Sequence, residues 1–206
     1  MGSVVFKGQS VRPGKVVCVG KNFAAHIEEM ASVPAENRVV FMKPATSIGT
    51  ELFAALDEPL HCEGEICLLM QGGEVAGVGF GLDLTKRDAQ AKLRTAGLPW
   101  ERSKAFTGSA LFSEFVAAPK DLSQLDVELV VDHAVRQKDD VNLMLYQPDV
   151  ILKELNQFLV LEDFDIVMTG TPAGVGAIQA GERFYGRVFH GEQELVSAEW
   201  PAQKGR

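Results

Sequence analysis

Positive charge is in short supply in this chain: 20 Lys and Arg residues stand against 28 Asp and Glu, the formal net charge is −8, and no Lys/Arg run occurs. Nucleic acid or an anionic membrane would need a basic face, so neither is expected as the main partner. A small anionic substrate stays open, because a few local cations suffice to hold one. Long apolar runs are missing too, and none approaches the roughly 20 residues that a bilayer span requires. Met1 to Cys18 has no basic segment followed by a long apolar stretch, so no secretory signal is expected and the expected location is cytoplasmic. Cysteine is scarce. Cys18, Cys62 and Cys67 are an odd number in no metal-like spacing, which predicts three reduced thiols. There is no internal repeat, low-complexity tract or linker, and no phosphate-binding glycine signature.

What remains is an ordinary globular composition, with 46% hydrophobic and 23% charged residues over 206 positions, enough for one domain with a real core. Twenty glycines against nine prolines imply many tight turns and a β-rich fold. Apolar runs predict strands at Val16–Val19, Val39–Met42, His61–Met70, Val75–Leu82 and Asp165–Met168, with Gly72-Gly73 as a hairpin turn. Val127–Val131 with Ala134–Gln137 reads as a hairpin, and Glu182 to Trp200 as two strands turning at His190-Gly191. Helices are expected after Asn22 as cap through about Met30, from Asp83 or Thr85 through about Thr95, and from Pro148 to about Phe158. Thr46 to Glu58 and Lys104 to Gly108 read as loops, the latter with a strand end as the alternative.

The sharpest local feature is His61-Cys62-Glu63-Gly64-Glu65 at the mouth of a strand that continues apolar on both faces. Alternation sends His61, Glu63 and Glu65 to one face, where two acids about 7 Å apart repel unless a cation lies between them. Asp83, at the end of the next apolar strand, is the natural third ligand, although alone it would serve as well as a helix cap. Three carboxylates without a His/Cys set select a hard cation, Mg²⁺ or Mn²⁺ rather than Zn²⁺. Arg87 follows Asp83 by one helical turn and Gln90 extends the same face, which is equally the pattern of a surface ion pair. Lys104 sits in a mostly apolar context, and exposed and functional roles are evenly balanced for it. His26 and Glu29, spaced i, i+3, share a face, the arrangement in which a carboxylate raises the basicity of an imidazole. Taken alone such a pair is more often on a surface. Thr169-Gly170-Thr171-Pro172 reads as a structural turn that exposes backbone N–H groups.

Six stretches then occur together in one order: CVGKNFAAHIEEM (18–30), VVFMKPATS (39–47), HCEGE (61–65), GLDLTKRDAQ (81–90), GLPWERSKAF (97–106) and MTGTPAGVG (168–176). In this the chain resembles the fumarylacetoacetate hydrolase family, and within it the short acylpyruvase/oxaloacetate decarboxylase branch. The resemblance implies an α+β, β-rich fold: a mixed β-roll with a few short helices, one catalytic domain over 1–206, assembled as a homodimer. It implies a Mg²⁺ site (Mn²⁺ possible) at Glu63, Glu65 and Asp83. It also implies substrate contacts from Arg87, Gln90, Lys104 and Thr171, and a His26/Glu29 dyad on a short lid helix. Departures occur at Lys21, where the family usually has arginine, at Cys62, often histidine, and at Gly64, often larger. Lysine keeps the substrate-binding charge but loses the planar fork.

The reaction expected first is hydrolytic C–C cleavage of an acylpyruvate, a 2,4-dioxo acid, to pyruvate and a carboxylic acid. His26 oriented by Glu29 would activate water, while Lys104, Arg87 and the metal stabilise the enolate. Oxaloacetate decarboxylation or keto–enol tautomerisation, or isomerisation of a 2-hydroxydienedioate, uses the same residues. A non-catalytic metal-binding scaffold is a further alternative, but none of the ligand or dyad positions is damaged.

Overall fold

A computed structural model describes residues 2–29 and 39–205. Its centre is a long hairpin, β6 (Leu60–Gln71) and β7 (Glu74–Lys86), closed by Gly72-Gly73, both with positive φ as a two-residue hairpin turn requires. Around it a mixed sheet runs in the order β4 (Val39–Pro44), β3 (Lys15–Gly20), β12 (Ile166–Met168), β6, β7 and β8 (Ala110–Phe112). Two short strands pair off this path, β9 (Val116–Ala117) on β7 and β13 (Gly176–Ala177) on β6. The second sheet orders β11 (Ala134–Asp140), β10 (Leu125–Val131), β14 (Arg183–His190), β15 (Gln193–Gln203) and β5 (Leu52–Phe53). A small N-terminal hairpin joins β1 (Val4–Phe6) and β2 (Gln9–Val11). Helices are short: α1 (Ala24–Glu29), α2 (Arg87–Thr95), α3 (Glu101–Lys104) and α4 (Pro148–Leu155). The β-rich fold with few helices is the one expected.

Strand alternation explains how the layers meet. Even-numbered residues of β6 (Cys62, Ile66, Leu68, Met70) pack with Phe80, Leu82 and Leu84 against Leu125, Val127, Leu129, Phe184 and Val188 of the second sheet. Phe80 fills the place that a side chain at Gly186 would occupy, and its ring centroid lies 6.1 Å from that of Trp200. Odd-numbered Cys67 and Leu69 face the other way, into a smaller cluster with Val16, Cys18, Phe115, Ile166 and Met168. Glu63 and Glu65 continue that odd-numbered face, so the polar site sits at one end of an otherwise apolar surface. Among the described residues no helix is long and apolar enough to cross a membrane.

Several boundaries differ from the sequence reading. β7 runs on through Asp83 to Lys86, and α2 begins only at Arg87. The backbone around Asp83 is paired on both sides, to β6 and to Ala110 of β8, and a double ladder outweighs a local capping preference. Asn22 does not cap α1. Its amide donates to the carbonyls of Tyr146 (2.9 Å) and Thr169 (2.8 Å) and its oxygen accepts from Tyr146 N (2.8 Å), tying three segments together. Met30, the expected end of that helix, lies outside the described residues. Lys104 closes the short helix α3 rather than opening a loop, and the segment 46–58 contains β5 and part of a 3₁₀ turn. α4 ends at Leu155, three residues before Phe158.

Candidate active site

The β6–β7 register sets Glu63 directly opposite Asp83 and Glu65 opposite Gly81. Opposed residues share a face, so the three carboxylates project together. All are buried, at 7%, 2% and 1% exposure for Glu63, Glu65 and Asp83. One oxygen from each lies within 4.8 Å of the other two.

Three negative charges so close require compensation. Lys104, 2% exposed, places Nζ 2.8 Å from Glu63 Oε2 and 2.9 Å from Asp83 Oδ2, and donates to Thr85 Oγ1 at 2.6 Å. Arg87 Nη2 donates to Glu63 Oε1 at 2.6 Å and Nη1 to Gln90 Oε1 at 2.7 Å. Arg87 therefore pairs with Glu63, not with Asp83 as helical spacing implied. Lys43, fully buried, stands 2.9 Å from Asp83 Oδ1, and its ammonium also donates to the carbonyl of Lys104 and to Ser109 O and Oγ (3.1 and 3.2 Å). Among the described residues no cation is bonded to Glu65, which accepts instead from Gly170 N at 2.7 Å. Gly170 has φ +103°, and a Cβ there would come within 2.8 Å of Asn22 Cβ, so only glycine presents this N–H.

These contacts split the carboxylates electrostatically. Burial opposes the charge on Glu63, but Lys104 and Arg87 outweigh it and hold its carboxyl below the ordinary range. Burial pushes Glu65 well above that range, and the neighbouring charges of Asp83 and Glu63 push it further. Burial likewise disfavours the Lys104 ammonium, yet Asp83 and Glu63 raise it above its ordinary value and keep it charged. Asp83 Oδ1 is buried and accepts no hydrogen bond, Lys43 lying off the bonding direction. A carboxyl that resists its charge and a clustered, all-oxygen donor set together fit a hard divalent ion.

His26, 8% exposed, lines the same cleft, with Nδ1 3.5 Å from Glu29 Oε2 and without a hydrogen-bond partner. The Glu29 carboxylate accepts from Gly174 N (3.0 and 3.1 Å) and Val175 N (3.4 Å), which docks α1 on the loop after β12. Thr171 Oγ1 donates to Gly64 O at 3.0 Å and accepts from Gln137 Nε2 at 2.8 Å.

Nine of the ten residues singled out from the sequence line this one cleft: Lys21, His26, Glu63, Glu65, Asp83, Arg87, Gln90, Lys104 and Thr171. Glu29, the tenth, stands behind His26. Lys43, Thr85, Arg94 and Gln137 escaped the sequence reading. A lysine inside the apolar run Val39–Met42 plus Lys43 was the available signal for the first. Gln137, on a solvent-alternating hairpin strand, carried none.

Residues 15–201 match the family described as fumarylacetoacetate (FAA) hydrolase C-terminal. Among curated proteins, the oxaloacetate tautomerase YcgM of Escherichia coli is 37% identical over 187 residues, covering 82% of this chain and 85% of the relative. The mitochondrial oxaloacetate tautomerase FAHD1 of Bos taurus is 34% identical, covering 85% and 87%. Among solved structures, fumarylpyruvate hydrolase from Pseudomonas aeruginosa, in complex with Mn²⁺ and pyruvate, superposes with a TM-score of 0.86 at 31% identity, covering 98% of this chain and 96% of that one. With its family match running across both sheets and all three clustered carboxylates, the chain belongs to the fumarylacetoacetate hydrolase family.

Proposed function

We propose that the protein is a divalent-metal-dependent enzyme of small 2-oxo acids, and that its reaction is keto–enol tautomerisation of oxaloacetate. The observation that carries this reading is one cleft in which three buried carboxylates, the two cations on Glu63 and the His26 imidazole come together. Glu63, Glu65 and Asp83 would hold Mg²⁺ or Mn²⁺, which when bound supplies Lewis-acid polarisation of the 2-oxo group.

The chain's own residues account for the rest. Lys104, kept charged by its acidic neighbours, and Arg87 stabilise the negative charge that develops as the C3–H bond breaks. His26 accepts the C3 proton and returns it to the C2 oxygen, so a single imidazole completes the transfer. Glu29 positions that ring from behind. Gln90, Thr171 and Lys21 orient the carboxylate end. Burial of the site excludes bulk water and strengthens each of these interactions. The names of the curated relatives support placing tautomerisation ahead of hydrolysis.

The second reading, C–C cleavage of an acylpyruvate, is favoured by the His26–Glu29 pair and by likeness to the fumarylpyruvate hydrolase. There His26 would take a proton from water, hydroxide would attack C4, and the C3–C4 bond would break to give an acid and the pyruvate enolate. A homodimer is also proposed, on family membership alone.

The test uses metal-stripped protein with and without added Mg²⁺. The ultraviolet enol signal of oxaloacetate is followed while lactate dehydrogenase reports pyruvate, and acetylpyruvate is assayed in parallel. Metal-dependent equilibration of the enol above the protein-free rate, with no pyruvate formed, is the expected result. Pyruvate from acetylpyruvate would move hydrolysis to first place, pyruvate from oxaloacetate would make the enzyme a decarboxylase, and no activity on either would overturn both readings.

A further inference from the structure

The edge of β6 that faces away from β7 is paired only in part. β12 leaves it with Met168 opposite Cys67, and β13 returns to it with Gly176 opposite Cys62. Residues 63–66 lie in the gap, where the described residues supply no strand on that side. The register that pairs Met168 with Cys67 would bring Ala173 to Cys62, where Gly176 stands, so three additional residues bulge outward. A gap in a buried ladder leaves backbone groups that must find other partners. The carbonyl of Ile66 accepts from Thr169 N (3.2 Å) and Oγ1 (2.9 Å), and that of Gly64 from Thr171 Oγ1 (3.0 Å).

The N–H of Gly64, between the two glutamates, is met from the other sheet. Gln137 of β11 accepts from it through Oε1 at 2.8 Å. The ladder between β10 and β11 shifts register beside Gln137, as at bulges that re-aim a side chain. Nε2 of the same amide donates to Thr171 Oγ1 and to Pro172 O, both at 2.8 Å. A ring of bonds closes in this way, from Gly64 N to Gln137, from Gln137 to Thr171, and from Thr171 back to Gly64 O. Gln137 is 1% exposed, so a bond lost here leaves its partner in the interior without water. Glycine at 64 permits the approach. A Cβ there would come within 3.1 Å of Gln137 Oε1 and 3.0 Å of Phe80 Cζ.

We propose that Gln137 is a positioning residue: from the second sheet it fixes the peptide between Glu63 and Glu65 together with the hydroxyl of Thr171, and so sets the carboxylate cluster against a side chain of the substrate cleft. This rests on the metal-dependent 2-oxo acid reading of the site and adds the residue that holds two of its parts in register. Both hydrogens of the Gln137 amide are committed to Thr171 and Pro172, so it acts through Gly64 and Thr171 and not on the substrate. His26, Arg87 and Lys104 take no part in the ring. The effect of Gln137 therefore falls on binding of metal and substrate, and the chemical step is left to those three.

The test is Gln137→Asn, which keeps the amide but draws it back by one methylene, too far to reach Gly64 and Thr171 together. Two readouts are taken on the full chain. Calorimetry gives the Mg²⁺ affinity of metal-stripped protein, and steady-state kinetics at saturating Mg²⁺ give kcat and KM for the 2-oxo acid that the wild type turns over. Mg²⁺ affinity is expected to fall by about tenfold, the lower end for a lost partner behind a metal ligand. KM should rise by about threefold or more with kcat unchanged within about twofold. A general loosening of the fold would do the reverse, lowering the active fraction and kcat while leaving KM in place. Thr171→Val removes the hydroxyl through which Gln137 reaches the substrate, so the two KM effects should not add in the double variant. Gly64→Ala presses on the same amide from the peptide side and should move Mg²⁺ affinity and KM in the same directions, which keeps the test open if the asparagine variant does not fold. Wild-type Mg²⁺ affinity or wild-type KM in these variants would overturn the proposal and leave the 2-oxo acid reading standing. A loss confined to kcat, or KM effects of Gln137→Asn and Thr171→Val that add in full, would overturn it as well. A wild type without metal-dependent turnover of oxaloacetate or acetylpyruvate would remove the underlying reading, and this proposal with it.

Discussion

Lys43 illustrates how much a single side chain decides at the floor of the cleft. It is fully buried, ion-paired with Asp83, and bonded to the carbonyl of Lys104 and to Ser109, so it holds a candidate ligand and the candidate electrophilic lysine in one frame. Lys43→Met leaves those acceptors in the interior without their donor. Stability is expected to fall by about 3 kcal/mol, read from urea unfolding; the figure sits at the low end because Lys104 still faces Asp83. Glu63→Gln removes one charge from the triad, breaks the ion pair with Arg87 and leaves Lys104 with Asp83 as its carboxylate partner. Mg²⁺ affinity should drop by about 100-fold or more by calorimetry, and wild-type affinity in this variant would dismiss Glu63 as a ligand. The thiols are the opposite case. Burial pushes Cys62 up to about 12 and raises Cys18 and Cys67 well above the thiol range. A thiol with a raised value is protonated and unreactive below it. None of the three should react with a disulfide reagent at pH 8 in the native protein, and all three should react once it is unfolded.

At the scale of elements, the site depends on what joins segments distant in sequence. Asn22 links the end of β3 to Tyr146 and to Thr169 through three hydrogen bonds, and Asn22→Ala is expected to cost about 2–3 kcal/mol. α1 is docked by Glu29 on the amides of Gly174 and Val175, which sets His26 against the cleft. In Glu29→Ala the helix loses that anchor. Turnover should fall by about 10²-fold, by the same ultraviolet assay, while Mg²⁺ binding persists, and unaltered turnover would show that the dyad does not act as one. The element that the sequence misled on, the supposed helix from Asp83, is instructive. Asp followed by Leu-Thr-Lys-Arg is a fair helix start by local propensity, and α2 does begin four residues later, at Arg87. What moved the boundary was ladder pairing to β6 and β8, which is invisible to a local window.

For the whole molecule, the two sheets share one apolar interior, and Phe80 of the central hairpin fills the space opposite Gly186 between them. We infer from this that the chain folds as a single unit over its length. Phe80→Ala is expected to cost about 3–5 kcal/mol, as a lowering of one cooperative transition. Two separate transitions would contradict a single unit. Period-two alternation and apolar runs made most of the strands legible, because a strand buried on both faces has little choice of residue. The motif residues were legible because six stretches in one order resemble the fumarylacetoacetate hydrolase family. Composition and motif order thus determined a β-rich chain, a set of three acidic residues and a place in this family. Only the tertiary structure decided that Asp83 opposes Glu63 across a ladder, that Arg87 serves Glu63, that Lys43 and Gln137 close the frame, and that Lys21 and Arg94 line one cleft. Those pairings join residues far apart in the chain, and the distance between them is set by register and packing, which no local stretch of sequence encodes.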